Sequence, residues 1–171
     1  MSVLTRDAIF NEIRLGRVRI DPLEDDQVGP ASIDLHLGDE LRIPDPEATG
    51  PLSVSEETDP NSVTRVVRLD RPYVLMPGST VHGITRERVS LPPDLCGWIE
   101  GRSHVARLGL MVHVTAGFMH PGVDNHQVLE MSSVAPIPLV IHAGSRICQI
   151  ILQRTEGAAS YRGRFAAQDA L

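Results

Sequence analysis

No lysine occurs anywhere in the 171-residue chain; all sixteen basic residues are arginine. That absence removes lysine nucleophiles and Schiff bases from the available chemistry. It leaves any phosphate to arginine, backbone N–H groups or hydroxyls. Cysteine is scarce as well. Cys96 and Cys148 each sit inside an apolar stretch, which argues against a disulfide framework and against a cysteine-based zinc site. No apolar run reaches the roughly 18 residues of a membrane span. The opening MSVLTRDAIF carries charge where a signal peptide needs an apolar core. The expected setting is therefore cytoplasmic, with neither secretion nor a membrane involved. Positive charge is not in excess either. A net charge of −6 argues against a general nucleic-acid binder, which needs a basic face for the phosphate backbone.

What is present describes one small soluble domain spanning residues 1–171. Hydrophobic residues make up 42% and charged residues 22%, a globular rather than a disordered balance, and the length suits a single core. Fourteen glycines and thirteen prolines favour many short strands joined by turns. One helix is expected first, with Thr5 as N-cap, Asp7 in the first turn, Ala8, Ile9, Phe10 and Ile13 on an apolar side, and Gly16 as its stop. Ile33, Leu35 and Leu37 then alternate with Ser32, Asp34 and His36 at the period of a strand. Residues 44–62 are acidic and rich in Pro, Ser and Thr, which reads as a surface loop. Strands are expected at 63–69, 73–76, 80–85, 95–100, 111–115, 126–131, 137–142 and 146–153, with Pro-Gly at 77–78 and 121–122 among the turns. One or two helical turns fit 102–109, and 155–171 reads as a flexible polar tail. No repeat of 20–50 residues breaks this mostly β pattern.

The densest mixture of polar and apolar residues lies between Gly101 and Glu130. Arg102 and Arg107, with Ser103 between them, could bind phosphate or orient a water through charge-assisted hydrogen bonds. They could equally be surface arginines on a capped turn. Glu130 is the sharper candidate. It shares a strand face with Val128 and His126, and a carboxylate in so apolar a strand risks desolvation, which suits proton transfer near neutral pH. The alternative is an edge-strand glutamate facing water. His113, His120 and His126 form a loose cluster, but their spacings of seven and six match no standard zinc arrangement. The HxE and PCxxC pair of zinc deaminases is missing too. No metal ligand is assigned. Ser103 and His104 are neighbours on a turn, point apart, and make no hydrolase pair.

The run GWIEGRSHVARLGLMVHVTAGFMHPGVDNHQVLEMSS resembles the core of the dCTP deaminase family, a branch of the trimeric dUTPase superfamily. Upstream, GPASIDLHLGDELRI resembles the family's PASIDLRLG segment. Downstream, PIPLVIHAGSRICQIIL and the SYRGR tail extend the resemblance over essentially the whole chain. It implies a mostly β, dUTPase-like distorted barrel or jelly roll with an N-terminal helix, assembled as a homotrimer with active sites shared between subunits. It also implies a zinc-independent deaminase of a cytosine nucleotide. Glu130 would take a proton from the water that attacks C4 and then pass protons to the departing ammonia. Ser103 and Arg107 match the residues that place water and polarise the tetrahedral centre. Arg102 and the following His104, Val105 and Ala106 match the phosphate-binding segment. Val128 and Leu129 fall where the backbone reads the base, Ala116 sits against the pyrimidine, and Gln149 matches a nucleotide contact. Tyr161 and Arg164 belong to the tail that acts as a lid. Mg2+ would enter with the triphosphate, not through a protein cage.

The chain departs from that pattern at defined places. The family usually has Asp where this chain has His120, and that Asp holds the sugar's 3′-hydroxyl; in the dUTPase branch it also positions the hydrolytic water. Histidine donates or accepts but supplies no fixed negative charge. In the tail a phosphate-binding Lys is replaced by Ser160 and a Gln by Arg164. These changes fall on sugar and phosphate contacts and spare Ser103, Arg107 and Glu130. They point to a cytosine-nucleotide deaminase whose sugar or phosphate requirement has drifted from dCTP. Two other classes stay open: a pyrimidine-nucleotide phosphohydrolase, alone or combined with deamination, and a catalytically silent nucleotide-binding protein.

Overall fold

The structure, a computed structural model, describes residues 2–113, 115–163, 165, 166 and 168–171. It begins with α1 (Arg6–Arg14). Thr5 stands at the N-cap in an extended conformation, but its side chain makes no capping hydrogen bond. Packing holds the helix instead, through the fully buried Ile9 and the buried Glu12. Gly16 ends it at φ 67°, a conformation that favours glycine, with its N–H on the Ile13 carbonyl.

The strands follow as β1 (Arg19–Asp21), β2 (Ile33–Pro44), β3 (Thr64–Arg68), β4 (Tyr73–Leu75), β5 (Thr80–Ser90) and β6 (Leu95–Gly101). A short helix α2 (Ser103–Arg107) comes next, then β7 (Leu110–Val112), β8 (Phe118–Met119), β9 (Asp124–Ser133), β10 (Leu139–Ile141) and β11 (Arg146–Arg154). One antiparallel sheet runs β7-β9-β5-β2-β11-β6-β8, with β1 added on β5 and β3 on β2; β4 and β10 pair separately. Register shifts between Leu37 and Leu41, Ile84 and Arg88, and Arg146 and Cys148 bend the long strands. The sheet thereby curls round a core that includes Ile33, Leu35, Leu37, Leu41, Leu129, Met131, Ile150 and Leu152, all essentially inaccessible to water. Among the described residues no helix is long and apolar enough to cross a membrane.

The differences from the sequence expectation have local causes. The strand expected at 111–115 stops at Val112, because His113 takes a φ of 56° and turns the chain away. β5 runs on to Ser90, past a bulge that the alternation does not announce. β9 lies between β7 and β5, so Glu130 is not on an edge strand. β1 and β8 hold three and two residues, too few to show a period. Residues 155–171 contain no helix or strand among those described. They are nonetheless tethered: Tyr161 N–H bonds the Pro121 carbonyl, Asn125 Nδ2 the Phe165 carbonyl, and Arg88 pairs with Asp169.

Candidate functional site

The pairing of β9 with β5 builds the first part of the site. Leu129 and Met131 point into the core, so Val128 and Glu130 take the opposite face. That face looks into a cleft of about 710 Å3. The Glu130 carboxylate is 36% exposed, so the desolvation expected of an apolar strand is only partial. Thr115 Oγ1 donates to Glu130 Oε2 at 3.0 Å, and His113 Nδ1 lies 3.8 Å from the same oxygen. The turn that begins at His113 makes both contacts possible. His113 N–H bonds the Glu130 carbonyl at 2.8 Å and its Nε2 meets the Ala116 carbonyl at 3.0 Å.

Directly across the ladder from Glu130 stands His82. Burial pushes the His82 imidazole below its usual range, Glu130 opposing that shift and Arg42 adding to it. Arg42, His82, Ala116 and Val128 all share the cleft with Glu130. At another part of the wall His120 sits edge-on to Phe118, with ring centres 4.9 Å apart. It stacks on Tyr161 at 4.9 Å and an interplanar angle of 5°. The tail thus reaches the cleft of its own chain. The loop residues Ser55, Glu56, Thr58, Asp59 and Asn61 form the polar rim.

The second part lies elsewhere on the surface. Ser103, His104, Ala106 and Arg107 are exposed on α2. Arg102, at its N-cap, is half-buried and pairs with Asp34 at 3.0 Å, while Gln149 Nε2 donates to the Gly101 carbonyl at 3.2 Å. None of Arg102, Ser103, Arg107 or Gln149 lines the Glu130 cleft. The candidate residues therefore fall into two separate groups on one chain. The side chains of Val105 and Leu129 belong to the core, so only their main chain can meet a ligand. Arg164 lies outside the described residues. Sequence reasoning missed Thr115, His82 and Arg42. The strand expected at 80–85 places His82 on one of two faces, but only the register shows that it opposes Glu130.

Among the described residues no group of three or more His, Cys, Asp or Glu is arranged to hold a metal ion. His113, His120 and His126 share the cleft without converging.

The sequence matches the dCTP deaminase-like family profile over residues 3–155. It is 38% identical over 164 residues to the dUMP-forming dCTP deaminase of Parafrankia sp., covering 92% of this chain and 82% of that one. Among solved structures it resembles the 2′-deoxycytidine 5′-triphosphate deaminase of Agrobacterium tumefaciens, with a TM-score of 0.70 at 25% identity. That match covers 90% of this chain and 48% of the longer Agrobacterium chain. The dUTPase of Staphylococcus bacteriophage 80alpha shares the fold alone, with a TM-score of 0.53 at 12% identity over 86% of this chain and 96% of that one. The mostly β, curled-sheet architecture is dUTPase-like.

Proposed function

Because the chain belongs to the dCTP deaminase-like family, we propose that it hydrolyses the C4–amino bond of a cytosine nucleotide, dCTP or a close relative, to the uracil nucleotide and ammonia. The observation that carries this reading is the setting of Glu130. A half-exposed carboxylate, oriented by Thr115, shares one cleft with Val128 and Ala116, the segments expected against the base.

In this reading Glu130 takes a proton from water as the oxygen bonds to C4, and delivers that proton to N3. It then carries the proton of the new hydroxyl to the amino group, which leaves as ammonia while C4=O forms. Zinc independence is what the family resemblance implies, and Glu130 then activates the water as well as moving the protons. Ser103 and Arg107 stabilise the tetrahedral centre. They do so from a neighbouring subunit of a homotrimer, since α2 of the same chain lies off the cleft. Magnesium belongs to the substrate, carried on its phosphates.

A second reading adds cleavage of the α–β phosphate bond, so that dUMP is released. The name of the Parafrankia relative favours it; His120, where the resemblance implies aspartate, stands against it.

The test is a panel of dCTP, CTP, dCMP, CMP and dUTP with magnesium, following ammonia and separating the nucleotide products. Glu130→Gln should lower ammonia release by about a hundredfold to ten-thousandfold, the usual contribution of a general acid–base group, while dCTP binding is retained. Undiminished turnover in that variant, or no ammonia from any cytosine nucleotide with the unaltered chain, refutes the reading.

A further inference from the structure

We propose that a closed ring of buried and half-buried polar groups, linked through His36, holds Arg102 in place for the nucleotide phosphates. The proposal rests on the nucleotide reading above. Its starting point is Glu87, which is fully buried, next to His36, which is 6% exposed. A buried carboxylate is tolerated only when donors fill its lone pairs. Here Oε2 accepts from the His36 backbone N–H at 2.8 Å, and Oε1 from His36 Nδ1 at 2.6 Å and Gln27 Nε2 at 3.1 Å. Arg86, itself paired with Glu24, stands 3.3 Å from Oε1.

With Nδ1–H committed to Glu87, His36 Nε2 is left as an acceptor, and Arg146 Nε donates to it at 3.2 Å. Arg146 is held from its far side by Asp26 at 2.6 Å. It sits at the point where β11 slips against β2, and its carbonyl receives Arg102 Nη1 at 3.4 Å. The other arm of Arg102 reaches Asp34 Oδ2 at 3.0 Å. The Asp34 carbonyl takes the Gln27 amide at 2.8 Å, and Gln27 returns to Glu87. The ring is thus Glu87, His36, Arg146, Arg102, Asp34, Gln27 and Glu87 again.

Histidine suits this link because it donates with one nitrogen and accepts with the other. The arginine of the resembled PASIDLRLG segment could not accept from Arg146. The ring ends on a guanidinium that is only half-buried, at the N-cap of α2 beside the exposed Ser103. Fixing it beforehand spares side-chain entropy when an anion binds.

Two conservative variants separate positioning from plain stability. An Asn amide reaches the Nδ1 position and can satisfy Glu87; a Gln amide reaches the Nε2 position and can accept from Arg146. His36→Asn should therefore keep the higher melting temperature, yet raise KM for dCTP about tenfold through loss of preorganisation. His36→Gln should show the reverse, with lower stability and KM within about threefold of the parent. In both, kcat should change less than about twofold. Inorganic triphosphate, used as a competing inhibitor, should weaken in step with KM, whereas deoxycytidine should not. Asp26→Asn, at an exposed carboxylate, should raise KM about two- to threefold. KM following melting temperature across the set, or deoxycytidine weakening equally, overturns the proposal. If the unaltered chain releases no ammonia, the deaminase reading fails, and calorimetric affinities for dCTP in the same variants test the ring. An unaltered chain that binds neither dCTP nor inorganic triphosphate overturns the ring's role as well.

Discussion

His120 marks the one position in the cleft where an aromatic ring stands in place of the carboxylate that the resemblance implies. It lies against Phe118 and flat on Tyr161, so it acts as a step between β8 and the tail. An aspartate there would give up that stack, worth about 0.5–1.5 kcal/mol beyond burial, and supply a fixed negative charge. The exchange should show in the product. We expect the unaltered chain to convert dCTP mainly to dUTP, and His120→Asp to raise the dUMP share of product at least about tenfold as a water gains an acceptor to orient it. Chromatography of the nucleotides from a single reaction decides it. If the unaltered chain already yields dUMP, His120 performs the positioning itself.

At the scale of elements, α1 shows how a buried charge docks a helix. Glu12 is 3% exposed and accepts from Arg17 Nε at 2.6 Å and from Arg154 Nη2, at the end of β11, at 2.7 Å. Burial raises its proton affinity, but Arg17 and Arg154 outweigh that and hold the carboxyl below its ordinary value of 4.5. A carboxylate depressed on folding stabilises the protein above its unfolded value and loses that contribution as pH falls through the folded one. Glu12→Gln should therefore cost about 2 kcal/mol near neutral pH, the scale of hydrogen bonds to a charged group. The gap should narrow as pH drops below 4.5, measured by urea unfolding at several pH values. A pH-independent gap would mean that Glu12 holds the helix without drawing on its charge. The elements themselves were legible in proportion to their length. Ile33, Leu35 and Leu37 announce β2 because they alternate over enough residues, whereas three-residue β1 and two-residue β8 owe their pairing to neighbours far away in the chain. His36 falls on the outer face by alternation, yet it is buried, because Gln27 and Arg146 close over that face. The site was legible in the same uneven way. The resemblance placed Glu130, Ala116, Val128, His120 and Tyr161, which do share one cleft. It could not reveal Thr115, His82 or Arg42, whose relation to Glu130 depends on the turn at His113 and on strand register.

For the whole molecule the decisive fact is that the Ser103–Arg107 pair does not line the cleft that holds Glu130. The proposed reaction calls for copies to assemble so that one chain's cleft meets another's α2. The surface is consistent with assembly. Leu108, Met111, Val134, Ile137 and Val140 are all exposed, and Val134 N–H joins the Gly109 carbonyl, which brings the first three together beside α2. A shared site has a consequence that a self-contained one lacks. Glu130→Gln and Arg107→Ala should each be nearly inactive alone. When the two are co-expressed and assemble at random into rings, a site is intact if its cleft comes from the arginine variant and its α2 from the glutamate variant. Activity should then return to about a quarter of the parental value, the chance of that combination in a cyclic assembly. Mixing after assembly, without subunit exchange, should restore none. Activity that stays at the background of the separate variants after co-expression would place the complete site within one chain, with α2 moving to meet the Glu130 cleft.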